Sequence, residues 1–161
     1  MAAQKKNKWM ARVGEIVPDF KIEGTSGEVS LGDLKGKKVV LYFYPKDATP
    51  GCTIEGHDFS RLLKQFKRAG AEVFGISRDT LASHEKFREK QKYSVHLLSD
   101  ADEAACGGFD VIKMKNMYGK KVRGIERSTF VIDTDGKLVK EWRKVKVAGH
   151  AEEVLDYVKS I

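Results

Sequence analysis

A chain of 161 residues with 41% hydrophobic and 33% charged content has the balance of one globular domain with a sizeable core. It contains no apolar run near the ~20 residues that cross a bilayer, and its two cysteines are too few for a disulfide scaffold. The net charge of +7 invites an anionic partner, but cations and acids are interleaved along the chain. A dedicated nucleic-acid reader concentrates its basic residues on one element, so nucleic acid is not the expected partner.

Residues 1–11 are basic and without period, and are expected to be a flexible tail, with the domain spanning 12–161. The start lacks the apolar stretch of a secretory leader, which gives a cytoplasmic expectation. A hairpin is expected around "DFKIEGTSGEVSLGDLKG". The continuous apolar run "KKVVLYFYP" reads as a strand buried on both faces. Phe59, Leu62, Leu63 and Phe66 then recur at helical spacing, with Gly70 marking the helix end. "AEVFGIS" is a second buried strand, "TLASHEKFREKQKY" a charged surface helix and "VHLLSD" a short strand. "ADEAACGGFDV" reads as a short helix stopped by Gly107 and Gly108. Met114, Met117 and Tyr118 fall in a loop-like stretch and receive no role. "STFVID" and "KLVKEWRK" flank a "TDG" turn as a hairpin, and "AEEVLDYVKSI" closes the chain as a helix. Alternating strands and helices imply an α/β domain with a mostly parallel central sheet, mixed at its edges and flanked by helices. That is the element order of a thioredoxin-like fold with an N-terminal extension.

The chemistry concentrates in "YFYPKDATPGCT". Reactive groups gather past the C-terminal ends of parallel strands, and Cys52 lies just there. Thr49-Pro50 has the form of an N-cap followed by the first helical residue, with the threonine side chain expected to accept from a first-turn N–H. Cys52 then sits in the first turn, where free N–H groups and the helix dipole favour an anion; the thiolate is the nucleophilic form of cysteine. Glu55 is three residues on, on the same helix face. A bare carboxylate there would oppose a thiolate, so it makes sense if an arginine stands between the two.

With Pro45, Thr49 and Cys52, the pattern P-x-x-x-T-P-G-C resembles the active-site motif of peroxiredoxins. "YPKDATPGCTIE" is similar to the peroxiredoxin Q subfamily, also called bacterioferritin comigratory proteins. The resemblance runs through "VPDF", "LLSD", "YGKK" and "GIERSTFVID", covering nearly all of residues 13–160. It implies a peroxidase in which Cys52 is the nucleophile, Pro45 shields it, Thr49 binds the peroxide and Arg127 completes the site, with no metal or organic cofactor. It also suggests a monomer.

Many members carry a resolving cysteine five residues on, where this chain has His57; others carry one on the next long helix, where it has none. Only Cys106 remains, and small-residue surroundings suit it to packing. A one-cysteine cycle is therefore expected, with thioredoxin, glutaredoxin or a small thiol as reductant. An intramolecular Cys52–Cys106 disulfide is the alternative. A thioredoxin-like disulfide oxidoreductase would need C-x-x-C, which is absent, and a basic nucleic-acid-binding module is the alternative of another class. His57 lacks the paired spacing of a zinc site, and His84, His96 and His150 read as surface or packing residues.

Overall fold

The computed structural model describes residues 9–161. A seven-stranded sheet in the order β2-β1-β5-β4-β3-β8-β9 forms its centre. Its strands are β1 Lys21–Gly24, β2 Val29–Ser30, β3 Lys38–Phe43, β4 Ala71–Ser77, β5 His96–Ser99, β8 Ser128–Ile132 and β9 Leu138–Arg143. β3, β4 and β5 run parallel, while β1 and β8 pair antiparallel at either side. The sheet is thus mixed, with a parallel heart, as the crossover helices require.

Alternation along β3 explains why its sequence reads as continuously apolar. Val40 and Tyr42 face one core layer; Val39, Leu41 and Phe43 face the other. The first layer is covered by α1 (Pro50–Arg68) through Phe59, Leu62, Leu63 and Phe66, and by α4 (His150–Ser160) through Ala151, Val154, Leu155 and Val158. Phe87 of α2 (Leu81–Gln91) joins it. The second layer holds α3 (Ala104–Gly108) with Phe109, Val111 and Ile125.

Three expectations need correction. Residues 1–8 of the proposed tail lie outside the described residues, but Trp9 stacks on Phe20 and meets Phe109 edge-on, and the Ala11 N–H donates to the Gly108 carbonyl at 2.8 Å. Gly107 and Gly108 do not stop α3; they are its last two residues. Gly108 is needed for packing, since a Cβ there would lie 2.2 Å from the Trp9 ring. The loop-like stretch is a separate two-stranded sheet, β6 (Ile112–Met117) with β7 (Lys120–Ile125). Tyr118 and Gly119 both take positive φ (53° and 81°), the requirement of a two-residue type I′ hairpin turn.

Candidate active site

β3, flanked by β4 and β8, delivers the chain to the C-terminal end of the parallel strands, and the Tyr44 N–H extends the pairing to the Ile76 carbonyl at 3.0 Å. Ala48 turns the loop with a left-handed φ of 66°, Thr49 is extended, and Pro50 opens α1. Cys52 is the third residue of that helix and 2% exposed. The Thr53 N–H is bound to the Thr49 carbonyl at 2.9 Å, so the amides of Gly51 and Cys52 belong to the unpaired first turn. The expected side-chain cap does not form. The Thr49 hydroxyl donates instead to the Lys46 carbonyl at 2.8 Å, across the turn that Ala48 creates. Its hydrogen committed, Oγ1 can only accept from a further partner.

Arg127, two residues past the end of β7, reaches across to α1. Its Nη2 lies 3.4 Å from Cys52 Sγ, and its Nη1 donates to Glu55 Oε1 at 2.6 Å. The guanidinium therefore stands between carboxylate and sulfur, as the helix-face argument required. Gly51 permits this approach, because a Cβ there would sit 3.2 Å from Nη2. Glu55 is almost wholly buried, and desolvation pushes it up to about 7 against the opposing pull of Arg127. The ion pair at 2.6 Å favours its ionised form, and Arg127 stays charged throughout.

The loop is also fastened from behind. Asp47 accepts from the Tyr44 hydroxyl at 2.6 Å and the Ser83 hydroxyl at 2.9 Å, and its other neighbour is His84 Nδ1 at 2.8 Å. His84 Nε2 faces the Leu98 carbonyl at 2.9 Å. The His84 ring thus bridges the Asp47 carboxylate and the backbone of β5. The Asp47 N–H in turn donates to Asp79 Oδ2 at 2.9 Å. Pro45–Thr49 is thereby tied to α2 and to the end of β5. Sequence reading passed over this cluster.

The AhpC/TSA family profile matches residues 13–141, most of the chain. The chain belongs to the AhpC/TSA family. It is 58% identical to peroxiredoxin Bcp of Xanthomonas campestris pv. campestris over 125 residues, covering 78% of each chain. It is 47% identical to peroxiredoxin Bcp of Bacillus subtilis over 150 residues, 92% of this chain and 96% of that one. A solved structure of the X. campestris bacterioferritin comigratory protein, concerned with its alkyl peroxide reduction activity, superposes with a TM-score of 0.83 at 52% identity, over 88% of this chain and 90% of that one. The fold is thioredoxin-like, the subfamily is peroxiredoxin Q/Bcp, and the chain is a thiol-dependent peroxidase.

In this peroxidase the second cysteine is not near the first. Both are free and buried, but Cys52 lies in the α1 layer and Cys106 in the α3 layer, on opposite faces of the sheet. The Cys106 N–H donates to Asp100 Oδ2 at 2.7 Å, and burial, then the Asp100 charge, push its thiol far up. His57 is exposed and its Nε2 meets Gln91 Oε1 at 2.9 Å, away from the sulfur. His150 is buried beside Thr129, 2.8 Å from its hydroxyl, and desolvation lowers it to about 4. His96 is half-buried against Thr25.

Two further neighbours of the site were missed. Lys115 on β6 donates to the Ile125 carbonyl, and burial, then Arg127, lower its pKa. The Tyr42 hydroxyl is buried without a partner in the Cys52 layer. The alternating pattern around the Tyr118-Gly119 turn was the signal for the first; nothing in the sequence marks the second.

Proposed function

We propose that Cys52 is the peroxidatic nucleophile of a one-cysteine cycle, acting on hydrogen peroxide and organic hydroperoxides. Its thiolate attacks the terminal oxygen of ROOH in line; the S–O bond forms as the O–O bond breaks. Cys52 becomes a sulfenic acid and RO⁻ leaves, taking a proton from solvent. The observation that carries this reading is the Arg127 guanidinium held between Glu55 and Cys52 Sγ. A fixed cation at that point stabilises charge as it passes from sulfur to oxygen, without reorganisation at the moment of reaction. The Cys52 amide adds a first-turn donor. Thr49 Oγ1 accepts from the peroxide O–H, and Pro45 covers the thiol from solvent.

Two external thiol groups, on one dithiol protein such as thioredoxin or on two small thiols, return the sulfenic acid to thiol, releasing water and a disulfide. Separate core layers and Asp100 beside the second thiol argue against Cys106 as their substitute. The protein acts as a cytoplasmic monomer through a single domain that includes Trp9 and Ala11. Intact mass and non-reducing electrophoresis after one equivalent of peroxide test the cycle. A gain of roughly 16 mass units in both wild type and Cys106→Ser is expected; a loss of about two hydrogens in wild type alone would replace this cycle by the Cys52–Cys106 disulfide.

A further inference from the structure

The β6–β7 hairpin is chemically unlike the rest of the molecule. Between Ile112 and Ile125 it carries Lys113, Lys115, Lys120, Lys121 and Arg123 and no acidic residue. Lys113 pairs with Asp110 and Arg123 with Glu103, which leaves Lys120 and Lys121 at the tip without an acidic partner among the described residues. Ile125 at the base is buried, but toward the tip the apolar side chains are exposed: Met114 is 62% exposed, Met117 50% and Tyr118 101%. Cross-strand register pairs Lys115 with Val122 and Met117 with Lys120, so cations and apolar groups form a checkerboard on one face. An isolated two-stranded hairpin is marginal in water, and this one is not bonded into the main sheet.

Tyr118 is the least expected feature. A left-handed backbone is unfavourable for an ordinary L-residue, and Asn, Asp or Gly is the usual choice in such a turn. Here a bulky aromatic takes the strained position (φ 53°) with its side chain wholly in solvent. No contact among the described residues compensates for it. Backbone strain retained at one position is a reason to look for an external contact, and an exposed tyrosine is a favoured anchor at protein interfaces.

The hairpin stands beside the thiol. β7 runs directly into Glu126 and Arg127, and Lys115 on β6 donates to the Ile125 carbonyl at the hairpin's base. Cys52 is 2% exposed, so the thiol of another protein reaches it only if that protein is held alongside the start of α1.

We propose that the β6–β7 hairpin is the docking arm for the reductant, and that this reductant is a small acidic dithiol protein. Tyr118, Met117 and Val122 contact an apolar patch around the partner's dithiol, and Lys120 and Lys121 meet its acidic rim. Complementary charge accelerates encounter. In the docked complex one partner thiolate attacks the Cys52 sulfenic sulfur, forming a mixed disulfide and expelling hydroxide, which is protonated to water. The partner's second thiol then attacks its own sulfur in that disulfide and releases the Cys52 thiolate. This inference rests on the one-cysteine reading above.

The test separates the two half-reactions in wild type, Tyr118→Asn and the double variant Lys120→Glu/Lys121→Glu. The Asn variant suits the turn, so loss of fold does not confuse the result. Stopped-flow kinetics would measure Cys52 oxidation by hydrogen peroxide, then its reduction by a thioredoxin of net negative charge or by dithiothreitol. The expected result is a fall of about tenfold in the thioredoxin step for each variant, with its salt dependence flattened in the double variant. The peroxide and dithiothreitol steps stay unchanged. An equal fall with dithiothreitol, or an unchanged thioredoxin step, overturns the arm. So does a finding that the variants lose binding to anionic vesicles or duplex DNA while the thioredoxin step is kept. Failure of wild-type Cys52 to form a sulfenic acid would instead overturn the one-cysteine reading itself.

Discussion

Cys52 and Cys106 share a residue type, a free thiol and deep burial, and differ in their nearest charge. Cys52 has a guanidinium at 3.4 Å and stands in the first turn of a long helix. Cys106 has the carboxylate of Asp100 bonded to its own N–H and lies in a five-residue helix. Burial alone therefore does not decide whether a thiol is inert. Both layers exclude water, and low polarity amplifies whichever charge is present: a cation favours a thiolate, an anion forbids it.

The contrast can be broken most directly at the sulfurs. Cys52→Ser should abolish peroxide consumption, by more than about 10³-fold, whereas Cys106→Ser should leave the peroxide step within about twofold. A competition assay for hydrogen peroxide measures both. Next, Arg127→Met gives Cys52 an environment closer to that of Cys106. The peroxide rate constant should fall about 10²–10³-fold with Cys52 still in place, and thermal unfolding should show the fold retained.

The anchor behind the loop has no counterpart around Cys106. His84→Leu keeps apolar volume but leaves the buried Asp47 carboxylate with only its two hydroxyl donors and no ring partner, and should cost about 3–5 kcal/mol in urea unfolding. Adding Asp47→Asn should recover part of that loss, which a simple packing defect at His84 would not allow.

The smallest effect is a pH slope from the layer that holds Cys52. His150 binds its proton near 6.5 when unfolded and only near 4 when folded. Between those values the unfolded state carries the extra proton, so stability rises with pH through the window. The displacement corresponds to about 3 kcal/mol. Glu55 acts oppositely: its folded value near 7 stabilises below about 4.5 and is lost as pH rises through 7. The net slope is therefore small in wild type. In His150→Gln the rising component vanishes, and urea unfolding between pH 4 and 6.5 should show stability falling with pH.

The alternation of buried strands and one-sided helices was legible because it follows from periodicity alone. Pro50 at the helix start and Gly70 beyond its end (φ 82°) are local signals of the same kind. Arg127 was found through family resemblance, and Glu55 through helix-face electrostatics. Asp47 and His84 were not found, because a contact between residues 37 apart leaves no local trace. The Thr49 cap failed for a related reason: the hydroxyl had a competing carbonyl at Lys46 that only the Ala48 turn brings near. The hairpin was missed because neither of its faces is consistently apolar, so the alternation on either side of Tyr118-Gly119 is masked by the run of cations. Trp9 fell within the expected tail because its socket is formed by Phe20, Phe109 and Gly108, far apart in sequence.

That socket places one of the chain's two tryptophans in the Cys106 layer, while Trp142 packs against the Cys52 layer and meets His150 edge-on. Each side of the sheet thus carries its own fluorophore. Emission from Trp142 should change when peroxide oxidises Cys52, and emission from Trp9 should stay still. In a Trp9→Phe variant the optical signal would report the reacting side alone, and in Trp142→Phe the same addition of peroxide should be nearly dark.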